Sequence, residues 1–187
     1  VTVAQFNTLD GKTNVDIILS GGVSDVVTAY ASSGGVATDG LTAIDDQDPN
    51  AVITVTNAAN IAQFNTIDGK TSSNIILSGG ISDTAANLAP SGSAESGLTN
   101  STNQDGDVAI TITGTNPTVD ELNKVAELTS GTVTASISGN ISTLASLSTA
   151  STDAITVTVN DAVTVAQFNT LDGKTNVDII LSGGVSD

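Results

Sequence analysis

The chain has 187 residues, a mass of 18.5 kDa and a formal charge of −16, from 20 acidic residues against four lysines, and it contains no Arg, His, Cys, Met or Trp. A face that neutralises phosphates needs clustered Lys or Arg, so the composition argues against nucleic acid and against anionic membrane surfaces as partners. With no Cys or His for a nucleophilic dyad, and too few aromatics to hold a sugar, neither an enzyme nor a small-molecule substrate is expected.

The chain opens on VTVAQFNTLDGKTNVDIILSGGVSD, residues 1–25. Thr2 with Gln5 forms a capping-box pattern, Val3, Phe6 and Leu9 share one helical face, and Gly11 stands where a helix end takes a left-handed residue. Asp10-Gly11-Lys12 reads as that helix end, with Lys12 near the negative pole of the helix; a functional reading pairs Lys12 with Asp16 or Asp25. DIILSGG, residues 16–22, reads as a strand and its turn. Leu19-Ser20-Gly21-Gly22 lacks the spacing of a phosphate-binding loop.

An acidic insertion follows at 36–50, VATDGLTAIDDQDPN, expected as a loop ahead of the strand VITVTN at 52–57. Asn60 with Gln63 then starts a second helix bearing Ile61, Phe64 and Ile67, with Gly69 as its stop, and NIILSGG at 74–80 is the next strand. Ser82-Asp83 opens a shorter helix. A second insertion at 91–107, SGSAESGLTNSTNQDGD, is again expected as a loop, ahead of AITITG at 109–114. TVDELNKVAEL (118–128) is a helix with Thr118 and Glu121 in a capping box; VTASISG (133–139) and AITVTV (154–159) are strands, with a short helix from Asn140 between them. Residues 163–187 then repeat residues 1–25 without a change.

A further copy lies inside: residues 61–83 match residues 3–25 at 17 of 23 positions. From Ile17 the strand-like runs recur at spacings of 36, 22, 35, 23, 22 and 24 residues, so one 162-residue repeat holds six small modules, two of them enlarged by the insertions. Residues 1–162 are one full repeat, and 163–187 begin the next. The chain starts at Val, and its unbroken identity across this period is expected of a window from a longer array. A module this short cannot bury its own apolar face, but stacked modules can. The expected fold is α/β: an elongated solenoid of strand–turn–short helix modules with a stacked parallel sheet. The alternative is a β-solenoid, because helices of two or three turns are marginal alone.

Chemistry is expected in the insertions. Asp46, Asp48 and Asn50, and again Asn103, Asp105 and Asp107, put oxygen ligands at every second residue, as a calcium loop does. The pattern is the first half of a D-x-[DN]-x-[DN]-G loop without the closing glutamate. These six residues are the candidate Ca2+ ligands; the competing reading is a solvated acidic turn.

VTVAQFNTLDGKT, IILSGGVSD and ISDTAANLAPSG (81–92) resemble repeats of very large surface, adhesin-like or matrix proteins of cyanobacteria and other Gram-negative bacteria. The calcium nonapeptide G-G-x-G-x-D-x-U-x is absent, so the calcium reading rests on the acidic loops alone. The resemblance implies a structural role at the cell surface or outside the cell. The expected function is a structural repeat protein of a filament, fibre or surface layer, calcium-stabilised and self-associating. The alternative is the stalk of a calcium-dependent adhesin.

Overall fold

The computed structural model describes residues 1–114 and 116–186. Its helices are α1 (Val3–Asp10), α2 (Val27–Tyr30), α3 (Asp39–Gln47), α4 (Ile61–Asp68), α5 (Ala85–Leu88), α6 (Ser96–Gln104), α7 (Val119–Leu128), α8 (Ile141–Leu144) and α9 (Val165–Asp172). Its strands are β1 (Val23–Asp25), β2 (Ile53–Val55), β3 (Ile75–Ile76), β4 (Ile81–Thr84), β5 (Ile110–Thr113), β6 (Val133–Gly139), β7 (Ala154–Val159) and β8 (Ile180–Leu181).

The fold is mixed α/β. The strands form two open parallel sheets, β1-β2-β3 and β4-β5-β6-β7-β8, in which each strand pairs with its neighbour in the chain. The register runs Val23 to Ile53 to Ile75 in the first sheet. In the second, Ile81 pairs with Ile110 and Ile110 with Val133, then Ala135 with Ile155 and Thr158 with Ile180. A lone parallel bridge, Ala59 to Ile81, ties the segment after β2 to the second sheet. Parallel strands need a crossover between them, and here short helices supply it.

Alternation decides which side of each strand is buried. In β6 and β7, Val133, Ala135, Ile137, Ile155, Val157 and Val159 point inward, while Thr134, Ser136, Thr156 and Thr158 between them are exposed or half-buried. The inward rows and the apolar helix faces share one buried cluster, which takes in Phe6 of α1, Leu41 and Ile44 of α3, Phe64 and Ile67 of α4, and Leu122 and Val125 of α7. Each buried side chain of this size contributes ~1.5–3 kcal/mol. Helices pack on helices of the following module, α1 on α3, α2 on α4, α4 on α6 and α5 on α7.

The capping boxes at Thr2–Gln5, Asn60–Gln63 and Thr118–Glu121 form as the sequence predicts, and Thr164–Gln167 makes a fourth. Three expectations are corrected. The insertions at 36–50 and 91–107 are not loops throughout, because each folds into a helix, α3 and α6, that buries Leu41 and Ile44 or Leu98. Gly11, Gly69 and Gly173 are right-handed, at φ −67°, −71° and −70°. The amides of Gly11 and Gly69 still find helix carbonyls, so a tightened last turn ends the helix where a left-handed reversal was expected. Finally, the strand of the opening copy lies after its Gly-Gly turn, at β1, and not within residues 16–22; in the middle copy β3 and β4 flank the Gly-Gly pair.

Candidate functional site

The residue types that could carry chemistry in this chain are carboxylates, amides and hydroxyls, and several of each bond between modules. A helix begins with amides that have no partner within it. Here the first such amide of one module is taken by an acid or amide of the next. Val3 donates to Asp25 Oδ2 at 3.1 Å, Ile61 to Asp83 Oδ2 at 3.0 Å and Ile141 to Asp161 Oδ1 at 2.8 Å. Asn57 Oδ1 does the same for Val27 at 2.6 Å. A carboxylate at this place also meets the positive pole of the helix. Asp83, almost fully buried, further accepts from Thr84 N at 2.8 Å and Asn87 Nδ2 at 2.7 Å.

A second set of braces uses the insertions. Ile17 N donates to Gln47 Oε1 at 3.0 Å and Leu19 N to Asp48 Oδ2 at 2.8 Å; Ile75 N donates to Gln104 Oε1 at 2.8 Å and Leu77 N to Asp105 Oδ2 at 3.0 Å. These side chains stand where a neighbouring strand would place carbonyls. Ile75–Ile76 is nonetheless a strand because β2 pairs with it on the other side, whereas no described strand pairs with residues 17–19.

Threonine hydroxyls add a third set. Thr71 donates to Ala51 O at 2.8 Å, Thr129 to Val108 O at 2.6 Å and Thr175 to Ile155 O at 2.8 Å. Asp153, buried, takes Val133 N at 2.9 Å and Ala150 N at 2.8 Å. Among the described residues no buried side-chain nitrogen or oxygen lacks a partner.

The predicted calcium ligands fall into two groups, one in each insertion. Asp46 is exposed on α3, Asp48 turns toward Leu19, and Asn50 is exposed with its amide on Asp48 Oδ1 at 3.2 Å. Asn103 is exposed on α6; Asp105 holds Leu77 and has the Asp107 carboxyl within hydrogen-bonding reach. Burial pushes the Asp105 carboxyl above its ordinary range, the Leu77 amide opposes this, and Asp107 acts both ways, its carboxyl raising and its amide lowering. Among the described residues no three acidic side chains are grouped so as to hold a metal ion.

Lysine does not act on Asp25, which is occupied by Val3 N and, at 2.8 Å, Val26 N. Lys70 instead pairs with Asp45 at 2.9 Å and Lys124 with Glu127 at 2.9 Å, both partly exposed. Burial, and then the charge of Asp25, push the Tyr30 hydroxyl above its ordinary value, and it donates to Thr54 O at 3.2 Å. A shallow groove lined by Ser33, Asn60, Asn65, Asp83, Asn87 and Glu95 has at its base the same Asp83 that caps α4.

The sequence reading missed Asp25, Asp83 and Asp161 as caps. The signal was present in the Ser-Asp that follows Gly21-Gly22-Val23 and Gly79-Gly80-Ile81, at residues 24–25 and 82–83. The partner amide lies 22 residues back, at the first residue of the preceding helix. No helix among the described residues is long and apolar enough to cross a membrane. Compared with protein-family models, curated proteins and solved structures, the chain matches none.

Proposed function

We propose that the chain is a structural repeat protein, an α/β solenoid that builds a filament, fibre or surface layer outside the cell. One observation carries the reading. The polar residues that an enzyme or receptor would present to a ligand are used as braces between one module and the next, at recurring separations of 20–30 residues. Strand partners follow the same separations and are always sequence neighbours, as expected when each unit touches only the units before and after it. The 162-residue repeat extends that order along the chain. The extracellular setting is supported by the composition and by the resemblance to bacterial surface repeats. A non-enzymatic role belongs to the same reading.

Calcium is a separate part of the proposal. It rests on the acid content of the two insertions, where a divalent cation beside Asp107 would relieve its repulsion with Asp105. A second reading, the stalk of an adhesin with its binding tip elsewhere, uses the same stack and differs only in whether copies associate.

The test is length. Chains carrying one, two and three 162-residue repeats are measured by small-angle scattering. Six added strand spacings of ~4.8 Å lengthen the particle by ~29 Å per repeat. A maximum dimension that grows only as the cube root of mass would sink the solenoid reading.

A further inference from the structure

Parallel sheets are ordinarily covered on both faces. In β4 to β7 one face joins the buried cluster, and the other is left to solvent. This stretch of sheet is internal. β8 pairs beyond β7, and the Ala59–Ile81 bridge stands beyond β4.

The open face has one kind of side chain. Ser82 stands beside Thr111, and Thr111 beside Thr134. Thr84 stands beside Thr113. Between β6 and β7, Ser136 stands beside Thr156 and Ser138 beside Thr158. Of the outward positions in these four strands, Ala154 alone lacks a hydroxyl. None is charged, in a chain with 20 acidic residues, and the one acid within these strands, Asp83, is buried. Among the described residues only Ser138 Oγ, of all these hydroxyls, has a protein partner, Asn160 Oδ1 at 3.2 Å.

The spacing of the hydroxyls is set by the sheet. They repeat at ~4.8 Å from strand to strand and ~6.6 Å at every second residue along a strand. The β-branch of threonine restricts χ1, so its hydroxyl and methyl keep fixed places. An exposed protein surface ordinarily mixes Lys, Arg, Glu and Asp, whose charges order water around themselves. A neutral net of hydroxyls suits a lattice that is itself neutral and hydrogen-bonding. Oxygen rows of hexagonal ice repeat at nearly the spacing of parallel strands.

We propose that the open face of β4 to β7 binds ice, its serine and threonine hydroxyls bonding to lattice water in register. The face spans roughly 300 Å2 at the spacing and rise of a parallel sheet. That is well under the ~800 Å2 per partner of a stable protein complex. A second copy is therefore a poor occupant, and the charge of −16 on each copy opposes it further. Ice has no net charge and no side chains to immobilise, and it overgrows what its surface holds. Neither calcium nor assembly is required.

The test grows ice slowly on a cold probe in a stirred solution of the 187-residue chain and measures the share of protein carried into the ice. Crystal shape and freezing-point lowering are read in a nanolitre osmometer. The wild-type chain is expected to facet the crystals and to enter the ice well above an inert protein of equal mass. Thr134→Lys and Thr111→Lys put a long charged side chain at two exposed, adjacent positions of the face. Each is expected to lower the ice-bound share ~10-fold. Asn100→Lys makes the same change of charge at an exposed position of α6 and leaves the share unchanged. Circular dichroism checks that each variant is folded, and the two face variants sit on different strands so that the loss of one leaves the other to decide. A wild-type chain excluded from ice like the inert protein overturns the proposal. Equal losses in Asn100→Lys and Thr134→Lys also overturn it, because net charge and not the face would then govern uptake. Capture by crystalline cellulose with exclusion from ice overturns the choice of lattice.

Discussion

The three Leu-Ser-Gly-Gly turns offer one substitution with three outcomes. A Cβ on Gly79 would lie well inside 3.0 Å of the backbone of Asn57, in the preceding module, and a Cβ on Gly183 would do the same against Asp161. Gly21 has nothing within 4 Å, because no described residue precedes it on that side. None of the three has a positive φ, so neighbours decide the result and backbone strain does not. The obstacle at Gly79 is backbone, which cannot rotate away, so the turn must move off the adjacent strand. Overpacking of this kind costs ~1–3 kcal/mol. The bond from Gly79 N to Val55 O, 3.2 Å long, is loosened as well, at ~1 kcal/mol. Against this, replacing Gly with Ala removes ~0.4–1 kcal/mol of unfolded-state entropy. Gly79→Ala is therefore expected to destabilise by ~2–3 kcal/mol, a fall in melting midpoint of ~4–12 °C for a chain of this size. Gly21→Ala keeps only the last term and is neutral or slightly stabilising. Gly183→Ala releases the final module, seen as early loss of part of the circular dichroism signal with the main transition unmoved. If Gly21→Ala were as damaging as Gly79→Ala, the glycine would be serving the turn itself and the close-approach argument would be wrong.

Asp83→Ala leaves the buried amide of Ile61 without a partner and removes two further bonds, an expected cost of ~2–4 kcal/mol in urea unfolding. Asp25→Ala, at the more exposed end, costs less than half of that, and equal losses would refute the difference in burial. Asp105 has its folded carboxyl raised above the unfolded value, so the folded state holds more protons across that interval. Its contribution is greatest on the acid side and falls as pH rises from ~4 through the raised value. Asp105→Asn keeps an acceptor for Leu77 and should flatten this part of the stability profile, read as the difference from wild type; an unchanged slope removes the assignment. Calcium should raise the melting midpoint beyond what magnesium does at equal ionic strength, and Asp107→Asn should abolish the excess. No calcium-specific shift removes the metal from the proposal and leaves the braces intact.

What the sequence made legible was local. The capping boxes need only residues three apart, and β6 and β7 follow from alternation over six or seven residues. The spacing of the apolar runs also anticipated parallel pairing between neighbours, since one inward row must continue from strand to strand. What failed depended on partners far along the chain. DIIL has the same alternation whether its amides meet a strand or meet Gln47 and Asp48. Nor could the braces be read from the acids at every second residue, because a carboxylate that takes an amide across 28 or 29 residues leaves no mark in its own neighbourhood. The helix in each insertion was hidden by polar content: Leu41 and Ile44 are its only large apolar residues in the first, and Leu98 stands alone in the second.

The three copies of one segment show where stability resides. Leu9, Ile67 and Leu171 hold the same place in the same helix, yet the first is half exposed and the others are buried, and the difference lies wholly in which neighbour is present. The same holds for Gly21, Gly79 and Gly183. A module of this kind gains little from its own contacts, as short helices and two- or three-residue strands do not persist alone. The interface between modules is therefore the conserved physical unit, and repeating a segment without change after 162 residues repeats that interface.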